Sequence, residues 1–424
     1  MPLGLLSAMI LLFLTMKRWL VLQIFAFYIS FVNSYSLVRE YSGQSFFDRW
    51  NFYGGYDNLT QGNAIWVNES YATSQGLAYV DGQGHAIIKV DNITDVPMGQ
   101  NRSTVRITTQ DTYDLGSLWI IDLYHLPYGC SVWPAFWSFG PDWPQDGEID
   151  IIEGINVMSA NQMAIHTTPG CTQNTQNVSE YQLGISGSTT NCSEPSGCTV
   201  TETSPNSYES GFAVAGGGVF ATQFDSSGIF IWFWSRSDIP ASISQSNSAS
   251  MDISRWGTPH ASYFSSTCNI SQFFSAQNLV LDITLCGDWA GTGDNYNASC
   301  GNSGPTGLCY QDCVVGPGSP RYDNAYFNIS YLRAYTSALP SPTSTISNTA
   351  TVASATSMTS TTTTSTPSPG YGGSTWQSIE SSDSNRDGWG PIVMLLIAAP
   401  IVLIGSWPLM FKRRHQGIQA APPA

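Results

Sequence analysis

Charge is what this chain has least of. Only 11% of its 424 residues are Asp, Glu, Lys or Arg, against about a quarter in an ordinary soluble domain. Lysine is confined to Lys17, Lys89 and Lys412, and fifteen basic residues face thirty acidic ones, for a formal net charge of −15. Polyanions are held by clustered cations that displace condensed counterions. No such cluster occurs away from the two ends, which excludes nucleic acid as a partner. Zinc-type C-x-x-C pairs are also missing, and no apolar pattern of helical period runs for a dozen residues. Disorder throughout is excluded in turn, because 42% of residues are hydrophobic and 12% aromatic. Such a chain must build a large aromatic core or an aromatic-lined cleft.

Nine cysteines (130, 171, 192, 198, 268, 286, 300, 309 and 313) lie in the middle of the chain and none near its ends. They read as a disulfide framework with one thiol left over. Nine Asn-x-Ser/Thr sequons, at Asn58, Asn68, Asn92, Asn101, Asn177, Asn191, Asn269, Asn297 and Asn328, fall in the same stretch. Together these features predict a lumenal, N-glycosylated domain.

The ends differ from the middle. Residues 1–36 hold two apolar runs, Met1–Thr15 and Trp19–Val32, split by Lys17-Arg18. Read from Met16, the second run is a secretory signal with small residues near Ser34; an N-terminal anchor is the other reading. Residues 37–335 are short apolar-alternating runs broken by Gly, Asn, Ser and Pro, such as Ser117–Leu123, Gly228–Trp234 and Leu279–Leu285. Runs of this kind predict strands, and so many of them predict one large β-sandwich. The Gly/Ser/Cys-rich stretch Ser186–Gly218 predicts long disulfide-stapled loops. Residues 336–388 form a Ser/Thr-rich stalk, expected to be extended and O-glycosylated: of the 35 residues from Thr336 to Gly370, 21 are Ser or Thr. Trp389–Phe411 is a run of 23 uncharged residues followed by Lys412-Arg413-Arg414. This predicts one membrane-spanning helix and a cytoplasmic tail over 412–424, the organisation of a single-pass type I cell-surface protein.

The chemistry concentrates in Cys130–Asn156, CSVWPAFWSFGPDWPQDGEIDIIEGIN. In a protein so poor in charge, Glu148, Asp150 and Glu153 fall within six positions, interleaved with isoleucines. Glu148 and Asp150 are two apart and share one face of a strand. Glu153 returns to that face only if a β-bulge absorbs one residue, and Ile151-Ile152 is the place for it. Crowded carboxylates raise at least one pKa, and glycoside hydrolysis uses such a set: one ionised group to attack, one protonated group to donate. Trp133, Trp137 and Trp143 precede the cluster, and indole faces suit the apolar faces of pyranose rings.

This segment resembles the active-site strand of glycoside hydrolase family 16, whose signature is E-[apolar]-D-[apolar]-[apolar]-E. Within that family it is similar to the fungal laminarinase-type endo-1,3(4)-β-glucanases, as are STVRIT (103–108), YGCSVWPAFW (128–137) and NQMAIHTTPGC (161–171). The resemblance spans about residues 46–335. It implies a concanavalin A-like β-jelly-roll with the carboxylate strand across its concave face. It further implies Glu148 as nucleophile, Glu153 as general acid/base and Asp150 as assistant to the nucleophile, with sugar contacts from Arg106, Trp133, Trp137, Trp143, His166 and Trp289. The reaction implied is retaining endo-hydrolysis of β-1,3- or mixed β-1,3/1,4-glucan, with no cofactor. A glucan transglycosylase is the first alternative, and a non-catalytic glucan receptor on the same fold the second.

Overall fold

The computed structural model describes residues 34–245 and 249–337. Residues 1–33 of the expected signal region, most of the stalk, the membrane helix and the tail lie outside the described residues. Among the described residues no helix is long and apolar enough to cross a membrane.

Two antiparallel sheets pack face to face. One runs Ile185–Ser186, Cys198–Thr201, Gln162–His166, Glu148–Glu153, Val132–Phe139, Asn278–Leu285, Arg106–Thr109, Trp50–Phe52 in spatial order. The other is centred on Tyr326–Ser337, which pairs with Ser34–Ser42, Ser117–His125 and Ala86–Lys89. Side chains alternate across each strand, and the inward sets form one core: Val132, Phe136, Ile149, Met163, Ile165, Leu279, Leu281 and Ile283 from the first sheet meet Trp119, Ile121, Phe220, Ile231 and Leu332 from the second. Dry packing of two such faces is what stabilises a sandwich. The second sheet is also covered on its outer side. There Tyr35, Leu118, Ile120, Val219, Trp232, Met251 and Trp256 form a smaller cluster. Ser34–Ser36, placed with the leader on sequence grounds, are thus strand residues, and Tyr35 is buried.

The longest α-helix among the described residues, Gly293–Cys300, has eight residues. Ser186–Gly218 is not all loop. It contains the strand Cys198–Thr201, which extends the first sheet, and the helix Glu209–Val214. The strand was hidden because its four residues are flanked by Ser, Gly and Cys. Disulfides join Cys130–Cys300, Cys171–Cys268, Cys192–Cys198 and Cys286–Cys309, and Cys313 remains a buried free thiol.

Candidate active site

The central strand Glu148–Glu153 carries the site. Its register against Val132–Phe139 runs Phe139↔Glu148, Trp137↔Asp150, then Phe136↔Ile152 and Ala135↔Glu153. Ile151 has no partner there, and on the other side the pairing with Gln162–His166 slips over the same residues. Ile151 and Ile152 consequently both enter the core, while Glu148, Asp150 and Glu153 all line one cavity of about 290 Å³. The bulge is held from the side by Asn161. Its side chain donates to the Ile151 carbonyl at 2.9 Å and accepts from the Glu153 N–H at 3.0 Å. Asn161 is itself fully buried.

The tryptophans do more than line the cleft. Trp133 donates its indole N–H to Glu153 Oε1 at 3.0 Å, Trp137 donates to Asp282 Oδ2 at 3.0 Å, and Trp143 donates to Glu148. Each ring is thereby fixed by a carboxylate, and each carboxylate is held in place by a ring. Trp143 is 56% exposed, so its indole forms the open lip of the cleft.

Burial separates the acids. Asp150, 3% exposed, is pushed well above the usual carboxylate range by desolvation first and by the charges of Glu148 and Glu153 next. A side-chain hydrogen bond to Glu148 raises Asp150 further. Desolvation also raises Glu153 to about 8, against the opposing pull of the Trp133 hydrogen bond and with help from the charges of Glu148 and Asp282. Glu153 therefore holds a proton at neutral pH.

Two expected sugar contacts stand next to the cavity lining. His166 lies directly opposite Glu148 on the neighbouring strand, so its ring shares that face of the sheet, with Nε2 at 3.4 Å from Asp150 Oδ2, beside the residues that line the cavity. The Cys192–Cys198 loop presses on it: Gly197, at φ +62°, has no room for a Cβ, which would lie 2.8 Å from the His166 ring. Trp289 also stands outside the cavity lining. It packs edge-on against Trp133 at 5.5 Å between ring centres and so supports that ring. Arg106 does line the cleft, yet it pairs with Asp282 at 3.3 Å rather than with the catalytic carboxylates. Its guanidinium lies over the rings of Tyr53, Trp66 and Trp137.

Sequence reasoning missed Asp282, Asn161, Trp66 and Thr284. Asp282 and Thr284 alternate with core residues along LDITL, and that alternation was the available signal. Glu148, Asp150 and His166 bring one ligand atom each within 4.8 Å of one another, the sole group of metal-ligand type among the described residues. Its carboxylates are already engaged with Trp143 and His166.

A bulged strand presenting three carboxylates, two of them pushed upward by burial, in an aromatic cleft on a β-sandwich is the layout of a carbohydrate-cleaving site. Residues 50–335 match the XgeA-like catalytic domain of glycoside hydrolase family 16. The chain belongs to that family. It is 38% identical over 325 residues to a probable endo-1,3(4)-beta-glucanase of Aspergillus flavus, covering 74% of this chain and 46% of that protein. The chain spans about half the length of the Aspergillus relatives it matches. Among solved structures, the family 16 laminarinase 16A of Phanerochaete chrysosporium, with beta-glucans in donor and acceptor sites, is 32% identical, with a TM-score of 0.65 over 72% of this chain and 100% of that one. An elongating family 16 beta-1,3-glucosyltransferase is 36% identical, with a TM-score of 0.65 over 71% of this chain and 100% of that one.

Proposed function

We propose that this protein hydrolyses β-1,3- or mixed β-1,3/1,4-glucan within the chain, by double displacement with retention. One observation carries the reading: the bulge at Ile151 puts Glu148 and Glu153 on the same cleft wall, and burial raises Glu153 to about 8. Glu148, supported by the Asp150 proton, attacks the anomeric carbon while Glu153 protonates the departing oxygen. Water then enters, gives its proton back to Glu153, and displaces Glu148. The indole faces of Trp133, Trp137 and Trp143 seat the sugar rings. The matched relatives with glucanase and laminarinase names support the substrate class. The test is proton NMR of the first products from laminarin and lichenan. Appearance of the β-anomer is expected, together with loss of turnover in Glu148→Gln; first-formed α-anomer would refute the mechanism.

A second reading is transglycosylation, in which a sugar hydroxyl replaces water. The likeness to the elongating glucosyltransferase favours it. Products longer than the starting oligosaccharide would establish it.

The same proposal places the catalytic domain outside the cell. The Met16-initiated signal, the nine sequons, the Ser/Thr stalk and the apolar run before Lys412-Arg413-Arg414 support secretion, glycosylation and a single-pass anchor that holds the domain against wall glucan.

A further inference from the structure

The wall of the cleft includes a tight loop, Asp57–Gly62, whose Leu59 and Thr60 line the same cavity as Glu148. Asp57 shapes this loop from inside. Its Oδ1 accepts the N–H groups of Leu59 (3.0 Å) and Thr60 (2.9 Å), and its Oδ2 accepts the hydroxyls of Thr60 and Thr284, both at 2.5 Å. A side chain at Gly62 would collide with Asp57 and Thr284, so glycine is required for this closure. The loop is thereby pinned to the strand Asn278–Leu285, at the cleft, and is not free to swing away.

Asn58 sits at the tip of this loop, exposed, in the sequon Asn58-Leu59-Thr60. Its Oδ1 accepts the Tyr53 hydroxyl at 2.7 Å, and its amide nitrogen donates to nothing among the described residues. That division matters, because an N-glycan is attached through the amide nitrogen and leaves the oxygen able to accept. Three of the other sequons are less accommodating: the amide nitrogen of Asn92 donates to Asp323 (2.7 Å), that of Asn191 donates to Glu194 (3.2 Å), and Asn328 has a buried Oδ1 within a central strand. Tyr53, which orients Asn58, packs edge-on against Trp66, a cleft residue, at 5.2 Å. The Asn58 side chain is therefore exposed next to the cleft-lining Leu59 and Thr60, with its amide nitrogen unengaged among the described residues.

We infer that Asn58 carries an N-linked glycan that stands at the mouth of the cleft and limits entry of branched glucan chains. This rests on the secretory glucanase reading above. In the attachment step the Asn58 amide nitrogen bonds to the anomeric carbon of a lipid-pyrophosphate-linked oligosaccharide. The lipid pyrophosphate leaves with the bonding electron pair, and one amide proton is lost. The added sugars are bulky and hydrated, and on a pinned loop they occupy the rim permanently. A linear chain threads past them, whereas a chain with side branches does not.

The experiment uses the full chain produced in a glycosylating yeast, extracted in detergent, with Asn58→Gln alongside. Peptide mass mapping should find glycan on Asn58. Asn58→Gln should raise kcat/KM on a branched β-1,3/1,6-glucan about threefold or more while leaving a linear β-1,3-hexasaccharide within about 1.5-fold. Endoglycosidase trimming of the unaltered protein should give the same change and have no further effect on Asn58→Gln. Glycan on other sequons but not on Asn58 overturns the inference alone, as does an occupied Asn58 whose removal leaves the substrate ratio unchanged. A protein bare at all nine sequons overturns it together with the secretory reading. Inactivity of every form on every glucan overturns it together with the hydrolase reading.

Discussion

At the scale of single residues, the site works by giving similar carboxylates dissimilar surroundings. Glu153 holds its proton up to about pH 8 because it is desolvated beside Glu148 and Asp282. As a general acid it is active when protonated, so kcat/KM on laminarin should fall as pH rises through about 8. Glu153→Gln should lose about 10²–10⁴-fold on glucan, yet retain the first step with an aryl glucoside whose leaving group needs no proton. Steady-state profiles and a stopped-flow burst check both. Asp282 acts through its partners. Both it and Arg106 are buried, and each is the other's counter-charge. Asp282→Asn should cost about 3 kcal/mol in urea unfolding, since a buried cation is left unpaired. The same change removes a charge that raises Glu153, so the alkaline limb should move to lower pH.

At the scale of elements, one extra residue decides the function. A regular six-residue strand would send Glu153 into the isoleucine core; the bulge turns it back, and Asn161 locks the bulge by bonding both Ile151 and Glu153. Asn161→Ala leaves two buried backbone groups without partners, at about 1–3 kcal/mol each. We expect reduced thermal stability and a fall in kcat larger than any change in KM. A variant with normal kcat would show that the neighbouring strands alone hold the bulge. The position of the bulge was legible in the sequence, because the spacing of Glu148, Asp150 and Glu153 admits one interruption and the paired isoleucines accept it. The clamp was not legible, because an asparagine eight residues from Glu153 gives no periodic signal. Asp282 escaped for a related reason. It reaches Trp137 only through the pairing of strands 145 positions apart, and a single acidic residue in an apolar run reads as an ordinary outward position. Trp289 and His166 were legible as neighbours of the site. Their contacts with Trp133 and Asp150 depend on ring orientations that no sequence pattern encodes.

At the scale of the whole molecule, buried acids set how stability responds to pH. Burial raises Glu153 to about 8, Glu202 to about 7 and Asp282 to about 6. Between their unfolded values near pH 4 and these raised values, the folded state binds more protons than the unfolded state. Stability therefore falls as pH rises across that window. His260 works in the opposite sense: burial lowers it to about 4, so the unfolded state gains protons first as pH falls below 6.5. Thermal denaturation should show a lower Tm at pH 8 than at pH 6, and Glu202→Gln should flatten that slope. An equal Tm at both values would mean that these carboxyl groups are hydrated in the folded protein.

The pairing of three indole N–H groups with three carboxylates carries a consequence beyond binding. Indole emission responds to a charge placed at its nitrogen. Trp133 beside Glu153, Trp137 beside Asp282 and Trp143 beside Glu148 are therefore optical reporters already built into the cleft. Without any added label, ultraviolet fluorescence followed across pH, or on mixing with oligosaccharide, would record the proton inventory of the site as it changes.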